Sequence, residues 1–144
     1  MSAADGSAAE GSARERGMAK MMEVYGFTVD PADVPGDYTA FTVDHLFGAV
    51  WSRPGLGVHE RRLLTIGVLA ALGQSELLAI QFSSALARGE LDVDQVREVV
   101  IHLTHYVGWP LSTGIQGVAE KAIARHLDTG AGGDSGTDGT EGGR

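Results

Sequence analysis

His59 to Pro110 reads HERRLLTIGVLAALGQSELLAIQFSSALARGELDVDQVREVVIHLTHYVGWP, and three helices are written into it. The first, about His59 to Leu72, is apolar on every side from Leu63 onward, which marks a helix central to a core. Glu60 sits in its first turn, where a carboxylate complements the positive end of the helix dipole. Gly67 in mid-helix costs about 1 kcal/mol against alanine, so a close helix crossing is expected there. The second helix starts at Ser75 as N-cap and ends before Gly89. Leu78, Phe82, Ala85 and Leu86 face inward, with Gln81 inside that stripe. The third opens on Asp92 with Gln95 three residues later, a capping-box pattern. Its buried face is Val96, Val99, Val100, Leu103 and Val107, and Gly108 with Pro110 stops it.

Working outward, Met18, Met21, Met22 and Tyr25 recur at helical spacing and predict a helix from about Ser12 to Tyr25. The segment FTVDPADVPGD that follows disfavours helix through its prolines and ends at Asp37, a good N-cap. A helix over Tyr38 to Trp51 carries Val43, Leu46, Phe47, Val50 and Trp51 as one stripe, closed by the turn SRPGLGV. The last helix begins near Ser112 and carries Ile115, Val118, Ala119, Ala122 and Ile123. No stretch alternates with period two. The expected fold is all-α, a bundle of about six helices in one domain over residues 12–127. Residues 1–11 and 128–144 are small, polar or glycine-rich. Neither can bury enough apolar surface to offset its ordering entropy, so both are expected to be disordered.

Composition narrows the function classes. The chain has 144 residues, 43% of them hydrophobic, and no cysteine, which excludes disulfides, thiolate metal sites and thiol redox chemistry. A formal charge of −8 argues against a nucleic-acid surface. The longest apolar run, Leu63 to Leu72, is about half of what a membrane span needs. The N-terminus lacks an apolar signal core, so a cytoplasmic chain is expected.

Chemistry-bearing side chains are few. His102 and His105 are three apart, but two histidines alone make a poor metal site and no metal is expected. With Val96 at the centre of the buried face, His102 falls on its flank beside Tyr106, while His105 falls on the far side with Glu98. His102 is a candidate general acid/base, its ordinary pKa lying near neutrality, or a boundary histidine bonded to a carbonyl. His45 is a second candidate with the same alternative. Gln81, if buried, needs partners, since an unsatisfied amide costs about 1–3 kcal/mol. It either binds a ligand or caps another helix. Glu76 reads as a dipole-complementing acid or a ligand contact. Trp51 and Trp109 line a pocket or plug a core. Arg61 and Arg62 pair with a substrate carboxylate, with Glu60 or with another chain.

VWSRPGL (Val50 to Leu56), ERRLLTIGVLAALG (Glu60 to Gly73), ARGELDVDQVREVVIHLTHYVGWP (Ala87 to Pro110) and the AEKAI after it together resemble the carboxymuconolactone decarboxylase family. The resemblance runs from about Arg16 to Ala124. It implies an AhpD-like helical subunit assembling as a homotrimer or homohexamer, and cofactor-independent loss of carbon dioxide from a small carboxylated lactone. His102, in the HxxxYxGxP element, matches a family position and is the first choice for catalysis, followed by Gln81 and His45. Glu76, Trp51, Tyr106, Arg62 and Trp109 are the expected substrate contacts. The peroxidase branch of the superfamily carries a CxxC pair, a histidine and a glutamate where this chain has Gln74, Leu77, Gln81 and Arg62. Peroxidase chemistry is therefore not expected. The decarboxylase branch usually keeps a histidine at Gln81, and a glutamine orients a carbonyl without shuttling a proton. The alternatives are a ligand-binding homo-oligomer without catalysis, or a relative with diverged isomerase, hydrolase or biosynthetic chemistry.

Overall fold

The computed structural model describes residues 4–131, with side chains described over 13–130. Every regular element in that span is helical, and no strand occurs among the described residues. Helix α1 (Ala4–Tyr25) starts well before the expected Ser12, so most of the expected N-terminal tail is helical backbone. A single 3-10 turn (Pro31–Asp33) interrupts the linker; the Asp30 side chain accepts from the Ala32 amide at its start. Next come α2 (Tyr38–Ala40), α3 (Val58–Ala71), α4 (Ser75–Ala87), α5 (Val93–Val107) and α6 (Trp109–Ala131). Helix α6 overruns the boundary expected at Leu127, and the remainder of that expected tail lies outside the described residues. Contacts gather into two compact units, divided between Ile66 and Gly67.

In the first unit α2 widens at Phe41 into a π-helix (Phe41–Val50), where a plain α-helix was expected. Its last bond shows the wider ring, the Trp51 amide donating to the Leu46 carbonyl five residues back at 2.8 Å. Asp37 occupies the N-cap position of α2 but makes no side-chain cap bond. Helix α1 packs on the π-helix. Met21, Val24, Val43, Phe47 and Trp51 form the buried cluster, and Met18, Tyr25, Val29 and Val58 close around it. The helices meet backbone to backbone: a methyl group on Gly17 would lie 2.0 Å from the Val43 carbonyl oxygen, and one on Gly48 would lie 2.8 Å from that of Ala13. At the same seam Arg14 forks onto Asp44 at 3.1 and 2.8 Å.

In the second unit α4 and α5 both pack on α6. Of the stripes read from sequence, Leu78, Phe82, Ala85 and Leu86 on α4, Val96 and Val100 on α5, and Ile115, Ala119, Ala122 and Ile123 on α6 are buried, while Val99, Leu103, Val107 and Val118 are half-buried. Ser75 is the first helical residue of α4 rather than its cap; Gln74 holds that place without a side-chain bond.

Helix α3 departs most from expectation. Ile66 and Ala70, four residues apart, are fully buried, but Leu64, Val68 and Leu72 are each more than half exposed. Its apolar circumference exceeds what this chain covers. Nor is Gly67 a close crossing, since the nearest atom to an added methyl is Leu103 Cδ2 at 4.0 Å. Gly67→Ala is accordingly expected to stabilise the chain by about 0.5–1 kcal/mol through helix propensity. A urea midpoint below that of the wild type would contradict this.

Candidate active site on helices α5 and α6

Two local devices fix α5. At its start Asp92 Oδ1 accepts from the Gln95 amide at 2.8 Å and Gln95 Oε1 accepts from the Asp92 amide at 3.0 Å, the expected capping box. At its end Gly108 adopts φ +87, a left-handed value suited to glycine, and its amide donates to Thr104 O. Pro110, expected to stop α5, instead stands in the first turn of α6, where its missing amide proton costs nothing. With Val96, Val100 and Thr104 buried, side chains four apart fall into rows on either flank. Arg97, Ile101 and His105 form one row, leading on to Trp109. Glu98, His102 and Tyr106 form the other.

The first row borders a cavity of about 390 Å³ between α5 and α6, completed by Trp109, Ser112, Thr113, Gln116, Ala119 and Glu120. At one end Arg97 forks onto Glu120, Nε and Nη2 donating to the two carboxylate oxygens at 2.9 and 3.1 Å. The bond from Arg97 holds the Glu120 carboxyl below its usual range, and Glu120 in turn raises the Arg97 guanidinium. Both side chains are roughly half exposed, so water screens the pair. At the other end the His105 ring meets the Trp109 indole edge-on, centroids 5.5 Å apart. His105 Nδ1 lies 2.8 Å from the Ile101 carbonyl oxygen. A carbonyl only accepts, so Nδ1 carries the proton, and in the neutral ring Nε2 holds the lone pair. Thr104 donates its hydroxyl proton to Val100 O, and Ser112 and Thr113 donate theirs to Trp109 O.

The expected site residues are dispersed. His102 is exposed and stacks at 4.9 Å on Tyr106, itself 78% exposed, and neither borders the α5–α6 cavity. Gln81 is buried in the α4 stripe as expected, and no buried side-chain N or O among the described residues lacks a hydrogen-bond partner. His45 is exposed in the first unit, bordering a shallow depression with Asp37, Phe41 and Asp44. Glu76 is exposed in the first turn of α4, beside a smaller hollow that Lys121 and Arg125 also border. Trp51 is a core plug, stacked on Phe47 at 6.0 Å. Arg62 is wholly buried, donating through Nη2 to the Val24 carbonyl with its guanidinium 5.8 Å from the Tyr25 ring centroid. That burial gives Arg62 a structural role. Of the expected contacts only Trp109 borders the cavity, 65% exposed.

His105 and Arg97 border the cavity and were not among the expected site residues. The far-side placement of His105 was right about its exposure, but α6 folds back along that side and makes it a cavity wall. The spacing Arg97, Ile101, His105, Trp109 was the available signal. Among the described residues no group of three or more His, Asp or Glu side chains is placed to hold a metal.

Residues 36–121 match the family model described as carboxymuconolactone decarboxylase family. The chain belongs to that family. It is 36% identical over 91 residues to a 4-carboxymuconolactone decarboxylase of Acinetobacter baylyi, a match covering 63% of this chain and 67% of that protein. It is 32% identical over 84 residues to a nitrosuccinic acid decarboxylase of Metarhizium robertsii, covering 58% of each. No described helix is long and apolar enough to cross a membrane.

Proposed function

We propose that this chain is a cofactor-independent carboxy-lyase acting on a small carboxylated lactone or a related small acid. The observation that carries the reading is the family match together with two decarboxylases among the relatives. When carbon dioxide leaves, the electron pair of the broken carbon–carbon bond needs a place to go. In 4-carboxymuconolactone the conjugated lactone accepts it as a dienolate, and in nitrosuccinic acid the nitro group can do so. Both acids carry their own electron sink. The protein then has three tasks: to hold a carboxylate, to exclude water and to deliver one proton to carbon. A cavity of about 390 Å³ is in the size range of small-molecule sites.

The subunit works in the cytoplasm as a homotrimer or homohexamer. Leu64, Val68 and Leu72 on α3 supply exposed apolar surface for such an assembly. Light scattering is expected to give three or six times the 15.1 kDa chain mass; a monomer at micromolar concentration refutes the assembly.

The activity is tested by an ultraviolet progress curve and carbon dioxide release with 4-carboxymuconolactone, then with nitrosuccinic acid. Turnover well above the spontaneous rate is expected with at least one. If both acids bind and neither is converted, the chain is a ligand-binding relative instead.

A further inference from the structure

We propose that the α5–α6 cavity is the acid-binding site and that His105 Nε2, rather than His102, exchanges the proton with substrate, Arg97 holding a carboxylate. The assignment rests on the decarboxylase reading and names the working residues of its site. Four features support it. His105 borders the half-open α5–α6 cavity, whereas His102 lies on the other flank of α5, stacked on Tyr106. The Ile101 carbonyl occupies Nδ1, so proton exchange is confined to Nε2, and the ring is held by that bond and by Trp109. Nearby hydroxyls cannot compete as acids, because Thr104, Ser112 and Thr113 give their protons to backbone carbonyls. Finally, Arg97 is the cation of the cavity wall, and its half-exposed partner Glu120 is itself a carboxylate, already marking where a substrate carboxylate fits. An exposed pair of this kind exchanges readily for a competing acid.

The step balances as follows. The bond from substrate carbon to the departing carboxylate breaks, its electron pair enters the conjugated lactone, and carbon dioxide leaves. The proton on Nε2 of the charged ring passes to carbon, leaving the neutral Nδ1–H ring, and water restores it.

The test uses the full chain with 4-carboxymuconolactone. His105→Gln is expected to lower kcat at least ~100-fold, the usual scale of an acid/base contribution, with KM changed by no more than a few-fold. Arg97→Gln is expected to raise KM with a smaller effect on kcat. Wild-type kcat in His105→Gln, with or without a loss in His102→Gln, overturns the assignment. A second measurement needs no turnover: the ring-nitrogen NMR spectrum of the wild type. The neutral His105 ring is expected as the Nδ1–H form, its Nε2 resonance moving when 4-carboxymuconolactone is added. Binding of the lactone without movement at His105 overturns the site. Movement at His105 with neither 4-carboxymuconolactone nor nitrosuccinic acid converted upholds the site and refutes the decarboxylase reading.

Discussion

Gly17→Ala is expected to destabilise the first unit by about 3 kcal/mol, the upper end of the range for overpacking. Two effects oppose each other. Alanine in place of a helical glycine gains about 0.5–1 kcal/mol. The added methyl, however, would stand 2.0 Å from the Val43 carbonyl oxygen and 2.7 Å from its carbon. Those atoms are backbone and cannot rotate aside, so α1 and the π-helix must separate and the cluster beneath them loosens. The clash wins. Urea denaturation followed by far-ultraviolet circular dichroism is expected to show a lower midpoint with an unchanged slope. A midpoint at or above the wild type's would show that the two helices do not meet as described. Gly67→Ala, made in a helix with open space around it, is expected to move the midpoint the other way.

Phe47→Ala is expected to cost about 3–5 kcal/mol, as large-to-small changes in packed aromatic cores do. Phe47 is 1% exposed. It meets Tyr25 edge-on at 5.4 Å and stacks on Trp51 at 6.0 Å. Removing it leaves a hole in the middle of that aromatic row. Total stabilities of single domains are about 5–15 kcal/mol, so one side chain carries a large share. A fall in melting temperature on the order of 10 °C is expected for a chain of this length. Calorimetry showing a shift of only a degree or two would mean that the cluster repacks around the gap.

The helices most legible in the sequence were those with one apolar face. On α4 the apolar residues expected inside are buried, and on α5 Val96 and Val100 are buried with Val99, Leu103 and Val107 half-buried, because a single stripe at helical spacing has one way to face a core. The Asp92–Gln95 box was equally legible, since both partners lie within one turn. Elsewhere the deciding partner was remote. Val43, Phe47 and Trp51 suit an α-helix as well as a π-helix, so their spacing did not distinguish the two. Gly67 looked like a crossing glycine, but Gly17 and Gly48 are the crossing pair, because a glycine's own helix does not reveal what stands opposite. Arg62 donates to a carbonyl thirty-eight residues away, so its burial could not be read from the neighbouring Glu60 and Arg61. The α5–α6 cavity depends on α6 turning back along a flank of α5 that carries little apolar signal. That is why the place of His105 on the cavity wall was not legible in the sequence.

The π-helix has a consequence for how this chain tolerates changes of length. Its rings close five residues apart, one more than in an α-helix. Removing one residue elsewhere in a helix turns everything downstream by about 100° and scrambles the buried face. Within Phe41–Val50 the same deletion can instead be absorbed by tightening a π turn to an α turn, leaving Trp51 and the SRPGLGV segment near their places. Relatives one residue shorter in this stretch can therefore share the fold, and an alignment gap there records a change of winding rather than a lost contact.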